Sequence, residues 1–219
     1  MKCRPDTDDD VFSFALIHQC CHPARSVNIN LKRGGWQHRW NKAKEKTSPS
    51  VSGLHFSHYK AGAKYDLISH LHALKTSVAL RRGVFLAGWA KGLSVMLDKM
   101  LGCTLLTKLR DILLTEADFN HSNKEIFGFG MLQNARKYGF IPEEVYSERC
   151  KTADDGTLAK VLFQDVVIQT RLTAGLALVD TANCYDSVAH AIASLVFQAY
   201  GVPEEAVQSM LSTIEEMNY

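Results

Sequence analysis

The sequence predicts a mixed α+β fold that is rich in helices and contains a few strands. Two segments, Tyr65–Arg82 and Leu86–Leu101, carry apolar residues at helical spacing, and a glycine follows each of them directly. Two short apolar runs of strand type, DILLT after Arg110 and the buried run Leu176–Asp180, lie between the helical segments. This alternation of helices with isolated strands indicates a mixed α/β or α+β domain.

The remaining helices are predicted from periodicity and from residues that end helices. Asn123–Tyr138 reads as a helix that stops at a glycine, and Leu158–Thr170 has helical character despite its β-branched residues. After Asp180, an apolar stripe predicts a helix over residues 188–199. Pro203 then opens a last helix, because proline suits the first position of a helix.

Composition places the chain among ordinary globular proteins. It has 219 residues, 46% hydrophobic and 22% charged. The first ten residues are acidic where a secretory signal is basic, and VFSFALI is too short to span a membrane. The six cysteines show no disulfide spacing, so we expect an intracellular, reduced protein with no membrane partner.

The charges are divided unevenly along the chain. Residues 1–108 hold 17 Lys/Arg against 7 Asp/Glu, a net of +10, whereas residues 110–219 hold 8 against 16, a net of −8. A basic half predicts a surface that faces a polyanion. We divide the chain into a basic, partly disordered region over 1–46 and a domain over 47–219, because Gly, Ser and Pro punctuate the stretch around Trp36 and Trp40.

Two places in the sequence could hold a metal ion. His18, Cys20, Cys21 and His22 are adjacent, but neighbouring cysteines point in different directions, so an incidental helix end is the main alternative to zinc. Asp180 ends a buried strand, where a carboxylate cannot stay unpaired inside the core. It either caps the following helix or lies at a magnesium-dependent phosphoryl-transfer site.

The residues that follow Asp180 point more specifically to one protein family than Asp180 alone does. Asp180 is followed by Tyr185, Asp186, Val188 and His190, and this pattern resembles the first palm motif of reverse transcriptases of the non-LTR retroelement type. Similarity to this family spans roughly residues 47–219. It implies a truncated right-hand polymerase, with fingers and the start of a palm.

The resemblance continues upstream. In LRDILLTEADFNHSNKEIFG, the residues Arg110, Asp118, Phe119 and Lys124 occupy the positions of the family's fingers strand. The segment TSPSVSGLHFSHYKAGAK is similar to the loop that opens such domains.

The resemblance implies a role for several residues. Asp180 would be catalytic as a ligand of Mg²⁺, and Tyr185 would lie beneath the sugar of an incoming dNTP. Arg110 would contact the triphosphate through its planar guanidinium, and Lys124 would contact the template or its phosphates. The partners would then be an RNA or DNA template–primer and, in a completed site, a dNTP.

Four further basic residues, Lys60, Lys64, Arg81 and Arg82, are predicted to follow a nucleic-acid backbone. The aromatic-x-Asp-Asp turn that supplies the family's other metal carboxylates does not occur here, so we expect no polymerisation by this chain alone.

Two alternatives remain open. The chain is compatible with a non-catalytic, nucleic-acid-binding remnant of a retroelement. The run LALVDTANC also resembles the nucleophile strand of haloacid-dehalogenase-type phosphohydrolases, although Ala182 stands where that family has a second aspartate.

Overall fold

The computed structural model describes residues 26–45, 48–99, 102, 109–142, 145, 150–177 and 188–218. Within these residues the fold is helix-rich with one two-stranded antiparallel sheet, as the α+β prediction requires. In chain order the elements are α1 (Arg33–Asn41), α2 (Phe56–Gly62), α3 (Asp66–Arg82), β1 (Leu93–Asp98), β2 (Leu109–Leu114), α4 (Ala117–Asn123), a π-helical segment (Lys124–Met131), α5 (Leu132–Lys137), α6 (Ala153–Thr170), α7 (His190–Ala199) and α8 (Glu204–Glu215).

Helix α3 is the element around which the described core is built. Buried side chains form three clusters, and α3 contributes Leu80 to the first, Ala73 to the second and Ala79 to the third. The helix packs against α1 on one side and α8 on another. Small residues on its buried side allow these close approaches. The helix ends where predicted, because Gly83 adopts the left-handed conformation (φ +65°) that closes it.

The apolar stripe of α3 is not its buried face. Leu67, Leu71 and Leu74 are exposed by 80%, 62% and 47%, whereas Ser69 and Thr76 are fully buried. The periodicity therefore identified the helix correctly but not the side that faces the core.

The helix predicted over Leu86–Leu101 is wrong for the described residues 86–99. Trp89 is buried in a turn, and β1 follows it. Strand β1 pairs with β2 in a register that places Leu93 opposite Leu114 and Leu97 opposite Arg110. The predicted strand DILLT overlaps β2, and pairing with β2 supplies backbone hydrogen bonds that compete successfully with the local helical spacing.

The helix expected from Asn123 starts earlier and is not uniform. Helical structure runs from Ala117 to Lys137, with π-type turns over Lys124–Met131, and Gly139 (φ +70°) follows its end. A π segment widens the helix by one residue per turn and is frequent at functional sites.

Three other predictions on local structure have mixed outcomes. Helices α6, α7 and α8 confirm the predicted segments, with α6 starting before Leu158. The loosely ordered stretch around Trp36 and Trp40 is instead helix α1, with both indoles buried. Leu176 is exposed and lies in a segment without regular structure, so the buried strand is not formed there, and residues 178–180 lie outside the described part. The proposed boundary between residues 46 and 47 stays a prediction.

Candidate nucleic-acid interface

Arg110 and Lys124 both reach solvent, from elements that are separated in the chain by α4. Arg110 lies on β2, and its side chain is exposed. Two residues separate β2 from α4, and Lys124, which is also exposed, begins the π segment that follows α4. The two residues between them that matched the fingers pattern, Asp118 and Phe119, are buried. Two buried residues, which anchor α4, thus lie in the chain between the two exposed cations.

Asp118 ties α4 to α3 through an ion pair that is buried on the aspartate side. Its carboxylate accepts from Lys75 Nζ at 2.8 Å, and its side chain is 5% exposed against 39% for Lys75. The next residue, Phe119, packs its ring 5.4 Å from that of Trp89. These contacts fix the start of α4, and with it the position of Lys124.

Glu116 secures the loop before α2 in a similar way. Its carboxylate is buried and accepts hydrogen bonds from Ser50 Oγ and Ser52 Oγ, both at 2.7 Å. This contact joins the Pro/Gly/Ser loop before α2 to the junction between β2 and α4.

An aromatic and imidazole cluster lies under the same helix. The Trp40 ring stacks on Tyr59 at 4.7 Å and on His121 at 4.2 Å between ring centroids. Burial, followed by the charges of Arg39 and Lys124, lowers the pKa of His121 to about 4. Burial also raises the pKa of Tyr59 above its usual range. Both side chains are therefore neutral at pH 7, so this cluster is an uncharged support.

A groove of about 470 Å³ opens beside this cluster. Arg39 crosses it, pairing with the buried carboxylate of Glu125 and lying 4.7 Å over the ring of Phe129. Burial raises the pKa of Glu125, and the charge of Arg39 acts against that rise. Gly130 lies in the wall of this groove. A Cβ at this position would lie 2.5 Å from Val27 Cγ1, so the packing against Val27 requires glycine.

No motif in the sequence points to this groove. Trp36 and Trp40 are four residues apart in a basic stretch, so on a helix they would share one face. This spacing is the feature of the sequence that could have predicted a buried helix there. The groove's polar lining consists of Ser26, Asn28, Asn30, Lys32, Arg39, His121, Glu125, Gln133, Asn134 and Lys137.

The four predicted backbone contacts do not form one patch. Lys60 pairs with Glu45 at 2.8 Å, and Lys64 is exposed in the turn before α3. Arg81 and Arg82 lie at the opposite end of α3, where Arg81 Nε donates to the Ser77 carbonyl. At 1.5 Å per residue the two groups are separated by about 25 Å along the helix. A nucleic acid touching both would have to run along α3.

Asp180 and Tyr185 lie outside the described residues, as do the cysteines and histidines of the HQCCH cluster. Among the residues that are described, no group of three or more His, Cys, Asp or Glu is arranged to hold a metal ion. The buried carboxylates Glu116, Asp118 and Glu125 are each engaged by the serine, lysine or arginine partners given above.

Comparison of the chain with protein-family models, with curated proteins and with solved structures finds no match. In the described part of the chain, no helix combines the length and apolar character needed to cross a bilayer.

Proposed function

We propose that this chain is a fragment of an RNA-directed DNA polymerase of retroelement type, comprising fingers and the start of a palm, and that it binds a nucleic-acid template–primer. The proposal comes from the resemblance of Arg110, Asp118, Phe119, Lys124, and the motif that begins at Asp180, to that family. In the full-length family the reaction is metal-dependent nucleotidyl transfer.

The alternation of exposed and buried residues at the matched positions supports the proposal. Arg110 and Lys124 are exposed, as contacts to phosphate require, while Asp118 and Phe119 face the interior. A helix directly follows the hairpin strand that carries Arg110, so both cations belong to one continuous stretch of chain.

A magnesium ion would be held at Asp180, whose carboxylate oxygen is the ligand type that Mg²⁺ prefers. When bound, Mg²⁺ stabilises the charge on the attacking and leaving oxygens of an in-line displacement. Tyr185 would set the fit of the sugar and Arg110 would hold the phosphates. A single carboxylate does not organise two ions, so this chain on its own is expected to bind rather than to polymerise.

Binding is the first test. The full chain is titrated against a fluorescein-labelled RNA–DNA hybrid by anisotropy, between 50 and 200 mM salt. We expect salt-dependent binding, and we expect R110E/K124E to weaken it by roughly tenfold at the lowest salt and to reduce the salt slope by about 1 per lost contact. The matched control is K160E, which reverses an exposed charge on α6 and should lose at most a few-fold. Absence of binding at 50 mM salt, or equal losses in both variants, would overturn the proposal.

Catalysis is separated from binding by a second measurement. The transcript is sequenced beyond codon 219, and any longer open frame containing an aromatic-x-Asp-Asp turn is expressed and assayed for Mg²⁺-dependent primer extension. D180A should abolish extension and leave binding intact. Extension that survives D180A would exclude Asp180 as a metal ligand, and the non-catalytic binding alternative gains support if no longer frame exists.

A further inference from the structure

The groove of about 470 Å³ beside the aromatic cluster has two regular walls. One wall is the segment 26–32, in which alternate residues are buried and every second side chain lines the groove: Ser26, Asn28, Asn30 and Lys32. The other wall is the helical run from α4 to α5, in which every fourth residue lines the groove: His121, Glu125, Phe129, Gln133 and Lys137. At 3.3 Å per extended residue and 1.5 Å per helical residue, the walls measure roughly 20 and 24 Å. An elongated occupant therefore fits this groove better than a compact one.

Contacts with the chain around residues 200–201 hold both walls in place. The backbone N–H of Val27 donates to the carbonyl of Gly201 at 2.7 Å, and Asn134 Nδ2 donates to the carbonyl of Tyr200 at 3.0 Å. The two walls are thus tied to consecutive residues at one end of the groove. Because the groove is preformed, an occupant would lose little affinity to the ordering of the protein.

Arg39 is arranged to hold a carboxylate in the groove. Its Nε engages Glu125, whose side chain is only 8% exposed, and its guanidinium lies 4.7 Å over the ring of Phe129. The Arg39 side chain is nevertheless 38% exposed, and among the described residues its two Nη groups have no hydrogen-bond partner. A guanidinium fixed in this way presents planar N–H donors that match the two oxygens of a carboxylate.

The charge of the lining selects an acidic occupant. Glu125 is the one carboxylate among the described residues that line the groove, and Arg39 balances its charge. Lys32 and Lys137 have no carboxylate partner in the described part of the chain. The groove therefore has two uncompensated positive charges in addition to the Arg39 anchor.

The lining favours a peptide over a single strand of nucleic acid. Proteins hold such strands largely by stacking successive bases on exposed aromatic rings. Of the aromatic rings in the groove, that of Trp36 is only 3% exposed and that of Phe129 is covered on one face by Arg39. The asparagine and glutamine side chains on both walls instead offer donors and acceptors together, which suits the N–H and C=O groups of an extended peptide.

We propose that this groove binds an extended acidic peptide segment of a partner protein. About six residues fill a length of 20 Å, with one carboxylate on Arg39 and others near Lys32 and Lys137. The π turns over Lys124–Met131 place Glu125 and Phe129 in the groove, and such turns are frequent at functional sites. The inference goes beyond the polymerase proposal, because it uses none of the residues that carry the family resemblance.

The first test measures binding of a model peptide to the full chain. A fluorescein-labelled hexapeptide that alternates glutamate and threonine is titrated by anisotropy at low salt, and its glutamine–threonine counterpart is the control. We expect the acidic peptide to bind about tenfold more tightly or better, because charge-assisted hydrogen bonds are the stronger ones. With ¹⁵N-glycine labelling, the amide signals of Gly35 and Gly130, which line the groove, should shift on binding. The signal of Gly53, which does not line the groove, should stay in place.

Variants then separate the anchor from general charge attraction. R39Q/E125Q removes both charges of the ion pair, so the net charge of the lining is kept, and it should weaken peptide binding by about tenfold. K32E/K137E reverses two exposed lysines and should also lose at least about tenfold. The matched control K42E/K160E reverses two exposed lysines that do not line the groove and should lose at most a few-fold. Circular dichroism checks the fold of each variant, and K32E/K137E keeps the test decisive if R39Q/E125Q does not fold.

Several results would overturn the proposal. These are no binding of the acidic peptide, equal losses in K32E/K137E and K42E/K160E, and unmoved signals of Gly35 and Gly130. A thymidine hexanucleotide that displaces the peptide with equal or higher affinity would make the groove a nucleic-acid site instead. R110E should leave peptide binding unchanged, so failure of this inference and failure of the polymerase proposal give different results.

Discussion

Replacing Lys75 with methionine is expected to destabilise this fold more than replacing its partner Asp118 with asparagine. The two side chains meet at 2.8 Å, but they are buried unequally, with Asp118 5% exposed and Lys75 39% exposed. K75M leaves a carboxylate charge buried without its cation, whereas D118N leaves an ammonium that can turn toward water. The more buried partner is therefore the more costly one to leave alone.

The magnitudes follow from what each variant retains. K75M keeps most of the lysine's aliphatic packing and removes only the charge, so the unpaired carboxylate should cost about 3–5 kcal/mol. In D118N the amide oxygen can still accept from the Phe119 backbone N–H, which lies 3.0 Å from Asp118 Oδ1. The loss there should be about 1–2 kcal/mol.

The deficit of K75M should also depend on pH. Burial lowers the pKa of His72, and the charge of Lys75 lowers it further while Asp118 raises it. Removing Lys75 therefore raises the pKa of His72 in the folded protein. Protonated His72 then partly replaces the missing cation, so the difference from wild type should shrink as pH falls from 7.5 to 5.5.

Urea denaturation followed by tryptophan fluorescence measures these differences, because Trp36, Trp40 and Trp89 are all buried. The double variant K75M/D118N should cost about as much as D118N alone, since no charge remains to be buried. The control K160M, at an exposed lysine, should stay within about 0.5 kcal/mol of wild type. A D118N loss as large as that of K75M, or a double variant equal to the sum, would refute the reasoning.

Three further changes probe the site's support. W40A removes a side chain that is fully buried and stacked, and should lower the free energy of unfolding by about 3–5 kcal/mol in urea titrations. Burial lowers the pKa of His121 in the folded protein to about 4, so as pH falls the unfolded chain protonates at this histidine before the folded protein does. The free energy of unfolding should therefore fall by about 3 kcal/mol between pH 6.5 and pH 4. H121F should lack that part of the pH dependence. G130A should cost about 1–3 kcal/mol, because its Cβ would meet Val27 at 2.5 Å. G128A in the same π segment makes an ordinary 3.6 Å contact and should be neutral or slightly stabilising, and equal effects in thermal unfolding would contradict this assignment.

Local chemistry was enough to locate most helices. Gly83 and Gly139 adopt positive φ at the ends predicted for their helices, and Pro203 directly precedes α8. These outcomes depend on a few neighbouring residues, whose backbone preferences act before any long-range contact forms.

The candidate site is less accessible to such reasoning. Because arginine and lysine are charged, the sequence predicts that Arg110 and Lys124 are exposed. Nothing near Asp118 in the sequence predicts its ion pair with Lys75, which is 43 positions earlier. The roles assigned to Asp180 and Tyr185 stay predictions from the family resemblance.

The sequence by itself determined where α3, α5 and α8 begin or end, that the chain is of mixed α+β type, and that Arg110 and Lys124 reach solvent. Tertiary structure alone decided that residues 93–98 form a strand, that α3 buries its small residues and Leu80 rather than Leu67, Leu71 and Leu74, and that Trp36 and Trp40 are core. The physical reason is that ends and caps are set by interactions within a few residues. The buried side of a helix and the pairing of a strand depend instead on which distant surface offers the better contact.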